Sequence, residues 1–154
     1  MALDPDLVRA QYAAMVPMVA TLGIEFSHLD AATCTMRLPD EAPYRNHVGG
    51  PHAGAMWTLA ESASGALVFV NFGDLMADVT PFPIEATIRF LKVAMGPVTA
   101  TATLGAEAAS AVAILGSGKR PEFPVEIELS TGEGDDRLVT GSMTVTWTLK
   151  LNRR

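Results

Sequence analysis

The sequence predicts an α+β domain in which one long central helix is wrapped by a curved antiparallel sheet. Three observations carry that reading. Residues 52–72 are apolar on most sides of a helix, short alternating runs of β-forming residues lie before and after them, and Gly/Pro turn chemistry joins those runs. The chain has 154 residues, the length of a single domain with a single core. Hydrophobic residues make up 49% and charged residues 18%, enough apolar surface to drive folding.

Each element has its own signal. Asp4-Pro5 places an N-cap residue before a proline suited to a first helical turn. Leu7, Ala10, Ala14 and Met18 then recur at helical spacing, predicting an N-terminal helix of about three turns within residues 1–22. Ile24 to Leu29 and Thr33 to Leu38 read as a strand pair, with Cys34, Met36 and Leu38 alternating against Thr35 and Arg37. Asp40 to Pro51 is rich in Gly and Pro and reads as an irregular loop leading into the helix His52 to Phe72. That helix is long enough to cross a membrane, but Glu61, Ser62, Ser64 and Gly65 at its centre make insertion costly, and a wrapped core helix is expected. Four more strands follow, at Ile84 to Val93, Val98 to Leu104, Val125 to Leu129 and Leu138 to Leu151. Met95-Gly96-Pro97 is expected to join the first two of these as a tight reversal, and Gly132 to Asp136 the last two. Met143, Val145, Trp147, Leu149 and Leu151 should line one face, and residues 106–117 are expected to form a short helical insertion. No internal repeat interrupts this single domain, 1–154.

Composition also excludes function classes. Eleven Lys and Arg against seventeen Asp and Glu leave a net charge of −6, which disfavours nucleic acid or a membrane surface as partner, since both need a basic field. Cys34 is the single cysteine, so neither a disulfide framework nor a cysteine-rich zinc site is expected, and the three histidines lack metal-ligand spacing. The N-terminal residues have no basic stretch followed by an apolar run, and a cytoplasmic protein is expected.

Two features point to chemistry. Between Gly49 and Gly73 the only ionisable side chains are His52 and Glu61. A lone carboxyl on a wrapped helix is either tuned by burial or held by a structural partner such as Arg37 or Arg89. The second feature is the stretch Gly49-Gly50-Pro51-His52-Ala53-Gly54, where small residues let a ligand approach the unpaired N–H groups that begin a helix. Ala53 and Gly54 are the expected donors to an oxyanion. Glu61 lies eight residues beyond Ala53, or ~12 Å along a helix axis, so one reacting carbon cannot touch both in the same chain. A two-fold homo-oligomer with antiparallel central helices would bring Glu61 of one copy to the helix start of another.

The string NHVGGPHAGAMWTLAE, with Asn46, His52, Ala53-Gly54 and Glu61, resembles the signature of hot-dog-fold acyl-CoA thioesterases of the phenylacetate-pathway (PaaI-type) branch. The likeness is one of spacing: an Asn, a His six residues on, and an acid nine residues after the His. It implies the hot-dog fold, no cofactor other than coenzyme A as part of the substrate, and a dimer or dimer of dimers. It also implies that Glu61 is general base or nucleophile, that the Ala53 N–H polarises the carbonyl, that Asn46 positions water or substrate, and that His52 holds the loop. The sequence departs from that pattern in Ala53 for Gly, Glu61 for Asp, and Pro83 where a Ser or Thr often assists, which leaves Thr80 as the nearest hydroxyl. Trp57 and Phe82 are the expected acyl contacts, ahead of Met56, Phe69 and Phe90. Arg89, Lys119 and Arg120, with Lys92 and Arg45, are the groups weighed for the phosphates of coenzyme A. Two other readings keep the fold: a 3-hydroxyacyl-thioester dehydratase using His47 and Glu61, and a non-catalytic acyl-ligand binding protein.

Overall fold

A computed structural model describes residues 3–153, so Met1, Ala2 and Arg154 of the expected domain and of the expected N-terminal helix lie outside the described residues. Asp4 accepts a hydrogen bond from the Asp6 N–H and starts α1 (Pro5–Met15); Pro17 restarts the chain as a short α2 (Pro17–Thr21). The buried face of this region is not the expected one. Val8, Tyr12 and Val19 are buried, whereas Leu7, Ala10, Ala14 and Met18 are exposed. Burial follows Tyr12, whose hydroxyl finds an acceptor in the Ser62 carbonyl, and a buried Tyr needs such a partner.

The central helix α3 (Ala53–Phe72) lies over a six-stranded antiparallel sheet in the order β1-β2-β4-β5-β6-β3. The strands are β1 (Glu25–Leu29), β2 (Thr33–Leu38), β3 (Val79–Phe90), β4 (Val98–Leu104), β5 (Glu122–Thr131) and β6 (Leu138–Leu151). A 3-10 turn at Ala106–Ser110 and α4 (Ala111–Gly116) form the expected insertion. This is the hot-dog architecture. α3 packs chiefly over β2, β4 and β5. Small residues on both layers let them approach: Ala60, Ala63 and Ala66 of the helix, and Ala100 and Ala102 of β4, are all fully buried. The indole N–H of Trp147 donates to Ser64 Oγ at 3.1 Å, and Ser64 Oγ donates to the Glu61 carbonyl at 2.7 Å, so Ser64 at the polar helix centre is satisfied by the sheet and its own helix, whereas the buried Ser62 hydroxyl has no partner among the described residues. By length and composition Ala53–Leu75 could cross a membrane, yet most of that stretch is buried inside the fold.

Two expectations about the sheet are corrected. Met95-Gly96-Pro97 does turn, with Gly96 at φ +76°, but β3 and β4 are not neighbours: β3 pairs with β6 at one edge, and β4 sits between β2 and β5. A Gly-Pro turn reverses direction without fixing which strand lies alongside. β3 also begins five residues before the expected Ile84, taking in Pro81 and Pro83, which an edge strand tolerates. Of the residues expected to line one face of β6, Met143, Val145, Trp147 and Leu149 are buried, and Leu151 is exposed at the strand end. Gly132 to Asp136 joins β5 to β6 as expected.

Candidate active site

The loop before α3 is organised by one amide. Asn46 Oδ1 accepts from the N–H groups of Val48 at 3.0 Å and Gly50 at 3.2 Å, and its Nδ2 donates to the Pro51 carbonyl at 3.2 Å. Its backbone closes the same ring, the Asn46 N–H reaching Gly50 O at 2.7 Å. The side chain expected to position water or substrate therefore spends most of its bonding capacity on its own loop. Gly50 is buried where a Cβ would collide with the Ala94 carbonyl, which presses the loop against the residues that follow β3.

His52 is the N-cap of α3. Its Nδ1 accepts the Gly54 N–H at 2.9 Å, so the second expected oxyanion donor is already occupied. The Ala53 N–H has no such partner among the described residues and lies at the positive end of a 20-residue helix. His52→Ala should cost about 1 kcal/mol of stability, with His52→Asn recovering most of it, read from denaturant midpoints at constant slope.

Ala53, Trp57 and Glu61 recur every four residues and so share one stripe of α3. The sheet leaves the N-terminal half of this stripe uncovered: Ala53 and Trp57 are exposed and Glu61 is half-buried. Neither Arg37 nor Arg89 reaches Glu61, whose carboxyl has no hydrogen bond or ion pair among the described residues. Burial alone pushes its pKa above the ordinary value. A half-buried, unpaired carboxyl can accept a proton and a free helix N–H can polarise a carbonyl, though two turns of helix keep the two from serving one carbon within a single chain.

A cleft of about 420 Å³ opens at the Ala53 end, lined by Val48, Ala53, Met56, Phe90 and Val93, with Asn46 and Lys92 as its polar members. Trp57 and Phe82, the expected acyl contacts, do not line it; they are 38% and 44% exposed. Lys92, rather than Arg89, reaches it. The expected anion group is also split, because Arg89 pairs with Ser142 of β6 while Lys119 and Arg120 precede Glu122, which pairs with Thr148. Six residues of strand, ~20 Å, separate these positions within one chain. Thr80 is far from the cleft and donates to Asn152 Oδ1 at 2.6 Å, fastening β3 to the C-terminal residues. His47 is exposed in the loop. The contribution of Leu91 to Val93 was readable in one respect: Phe90-Leu91-Lys92-Val93 puts apolar residues on both strand parities, which an edge strand with one wet face does not need. Among the described residues no cluster of His, Cys, Asp and Glu could hold a metal ion.

Solved structures share this fold. The Pseudomonas aeruginosa protein PA5026, described as of unknown function and a probable thioesterase, is 28% identical, with a TM-score of 0.83 and 99% of each chain covered. A thioesterase family protein from Silicibacter pomeroyi matches in fold at 17% identity and a TM-score of 0.76, over 97% of this chain and 100% of that one. A mutant of the Pseudomonas aeruginosa thioesterase PA1618 does so at 20% identity and a TM-score of 0.73, over 99% and 97%. No curated protein matches the sequence. The match that spans residues 5–149 is to the family described as a domain of unknown function, DUF4442, and the chain belongs to that family.

Proposed function

We propose that the protein hydrolyses an acyl-CoA-type thioester as a two-fold homodimer, Glu61 of one protomer facing the Ala53 N–H of its partner. The observation that carries this reading is Glu61 itself, half-buried, unpaired and raised in pKa on the open stripe that begins at Ala53. The thioesterase description of the 28%-identical neighbour and the PaaI-type spacing of Asn46, His52 and Glu61 support it. Glu61 takes a proton from water, the oxygen attacks the thioester carbon, and the Ala53 N–H stabilises the oxyanion. Collapse expels the thiolate, which recovers the proton from Glu61. Direct carboxylate attack would instead give a mixed anhydride at Glu61, then opened by water. Single turnover in ¹⁸O-water tests for the anhydride, because water opening it at the Glu61 carbon leaves ¹⁸O on Glu61 and an unlabelled acid product, an outcome the general-base route cannot give. A free-thiol assay over a panel of acyl-CoAs tests the reaction itself; acyl-CoAs bound but left intact, or an enoyl product without thiol, would reject it.

The dimer is supported by the free edge of β3. Leu91 N–H donates inward to Thr140 O at 2.8 Å, so alternation points the N–H groups of Phe90, Ile88 and Ala86 outward. The bulge at Ile84 shifts that count by one, which turns Pro81 and Pro83 outward as well. From Pro81 to Phe90 the edge thus offers donors only in the half nearest the cleft, and it carries exposed Phe82, Ile84 and Phe90. Antiparallel pairing of two such edges would bring Lys92 and Arg89 of one copy toward Lys119 and Arg120 of the other, assembling a basic patch that one chain lacks. Ile88→Pro removes an outward donor and no bond to β6. It should convert a dimer to a folded monomer in light scattering and abolish thiol release; a monomeric wild type would overturn the assembly.

A further inference from the structure

The open stripe of α3 ends abruptly one turn beyond Glu61. The next position on it is Gly65, where a Cβ would lie 2.6 Å from the Tyr12 hydroxyl of α1. That hydroxyl donates to the Ser62 carbonyl at 2.7 Å, and the Ala66 N–H is directed at the hydroxyl oxygen, so Tyr12 is inserted at the Ser62–Ala66 rung of the α3 ladder. Its ring is 2% exposed and stands edge-on to Phe26 at 5.7 Å and Phe69 at 6.0 Å. Residues four apart on a helix are ~5–6 Å apart at Cβ, which puts the Tyr12 hydroxyl on the C-terminal side of Glu61, within reach of its charge.

We infer that Tyr12 is a positioning residue for Glu61: it is the end wall of the crevice, admitted by the notch at Gly65, and it keeps water from the C-terminal flank of the carboxyl. The inference rests on the reading of Glu61 as the reacting acid. The glycine is what admits the wall, because Gly in a helix interior costs stability and a methyl group here would evict the tyrosine. The titratable groups at this corner are Tyr12 itself, Cys34 on β2 and Arg9 on α1, and none pairs with the Glu61 carboxyl. Burial pushes the Tyr12 phenol's ionisation upward and the Glu61 carboxylate adds to it, so the two groups feel each other electrostatically. The N-terminal helix thereby acquires a role in the reaction without touching substrate.

The test is a ¹³C titration of the Glu61 carboxyl in full-length protein labelled at glutamate, the resonance being the one missing in Glu61→Gln. Tyr12→Leu and Gly65→Ala open the wall by different routes and should each lower the Glu61 midpoint by at least about half a pH unit. Tyr12→Phe keeps the ring and should leave the midpoint within about 0.2 units of wild type. Leucine still fills space against Phe26 and Phe69, so Tyr12→Leu carries the test if Gly65→Ala does not fold. Equal midpoints in wild type and Tyr12→Leu would overturn the inference, as would a Tyr12→Phe shift as large as that of Tyr12→Leu. Hydrolysis is not needed for the readout. A wild-type midpoint in the ordinary glutamate range would count against the base, whereas a raised midpoint indifferent to Tyr12 would remove only the wall.

Discussion

Glu61→Gln should lose thiol release by a factor of about 10² to 10⁴ while making the folded protein more stable at neutral pH. Both effects have one cause. Burial raises the Glu61 pKa above its ordinary 4.5, so the folded state holds that proton more tightly than the unfolded chain does. The resulting stabilisation is complete below pH 4.5 and is lost as pH rises through the raised value. Above it, the fold carries a half-buried carboxylate that has no ion pair among the described residues to offset its desolvation. Glutamine has the same shape and no charge, so the variant escapes that penalty at pH 7 and the gap between the two proteins narrows on acidification. Thermal melts of both proteins from pH 4 to 8 would show the gap, and kcat/KM of the wild type should fall as pH drops through the raised Glu61 value. An acid kept at a cost to stability is expected of a reacting group; a structural glutamate would leave the Gln variant less stable. A fully active Glu61→Gln protein would end the mechanism.

The fold was legible where side-chain alternation is strict. β2, β4 and β6 fall where the sequence places them, because Cys34/Met36/Leu38, Val98/Ala100/Ala102 and Met143/Val145/Trp147/Leu149 each give a buried face. β5 extends beyond its expected limits to include Pro124, which lies past the end of β4 where β5 has β6 as its only strand neighbour. Topology was not legible. The neighbours of β3 are set by long-range pairing with β6, and Met95-Gly96-Pro97 carries no information about it.

The site divides in the same way. Asn46, His52 and Ala53 could be found because Gly and Pro at their spacing constrain a loop-to-helix junction, and Glu61 because a charge interrupts an apolar helix. Lys92 and Phe90 could not. They reach the Ala53 cleft only because the chain leaving β3 at the sheet edge crosses back past the loop and first turn of α3 on its way to β4, a consequence of strand order. The claim of the Gly54 N–H as an oxyanion donor failed for a local reason: His is a rare N-cap, so its acceptor nitrogen was not counted among the partners available to that amide.

That leaves one backbone donor, and it can be deleted without touching a side chain. Ala53→Pro removes the N–H at the first helical position, where proline is well suited and no intrahelical bond is lost. His52 precedes it at φ −63° and ψ 140°, the extended conformation a residue before proline requires, and its bond to the Gly54 N–H is unaffected. The helix should therefore keep its fold and its cap, with a melting temperature close to that of wild type. Turnover should nevertheless fall by about 10²- to 10³-fold in kcat, the effect of losing an oxyanion donor, with a much smaller change in the affinity for an unreactive thioether analogue. Ala53→Gly retains the N–H and should retain activity, which separates the amide from the methyl group as the part that matters. If Ala53→Pro turned over normally, the oxyanion would have to be held elsewhere, and the paired arrangement of Glu61 with a partner's helix start would lose its chemical purpose.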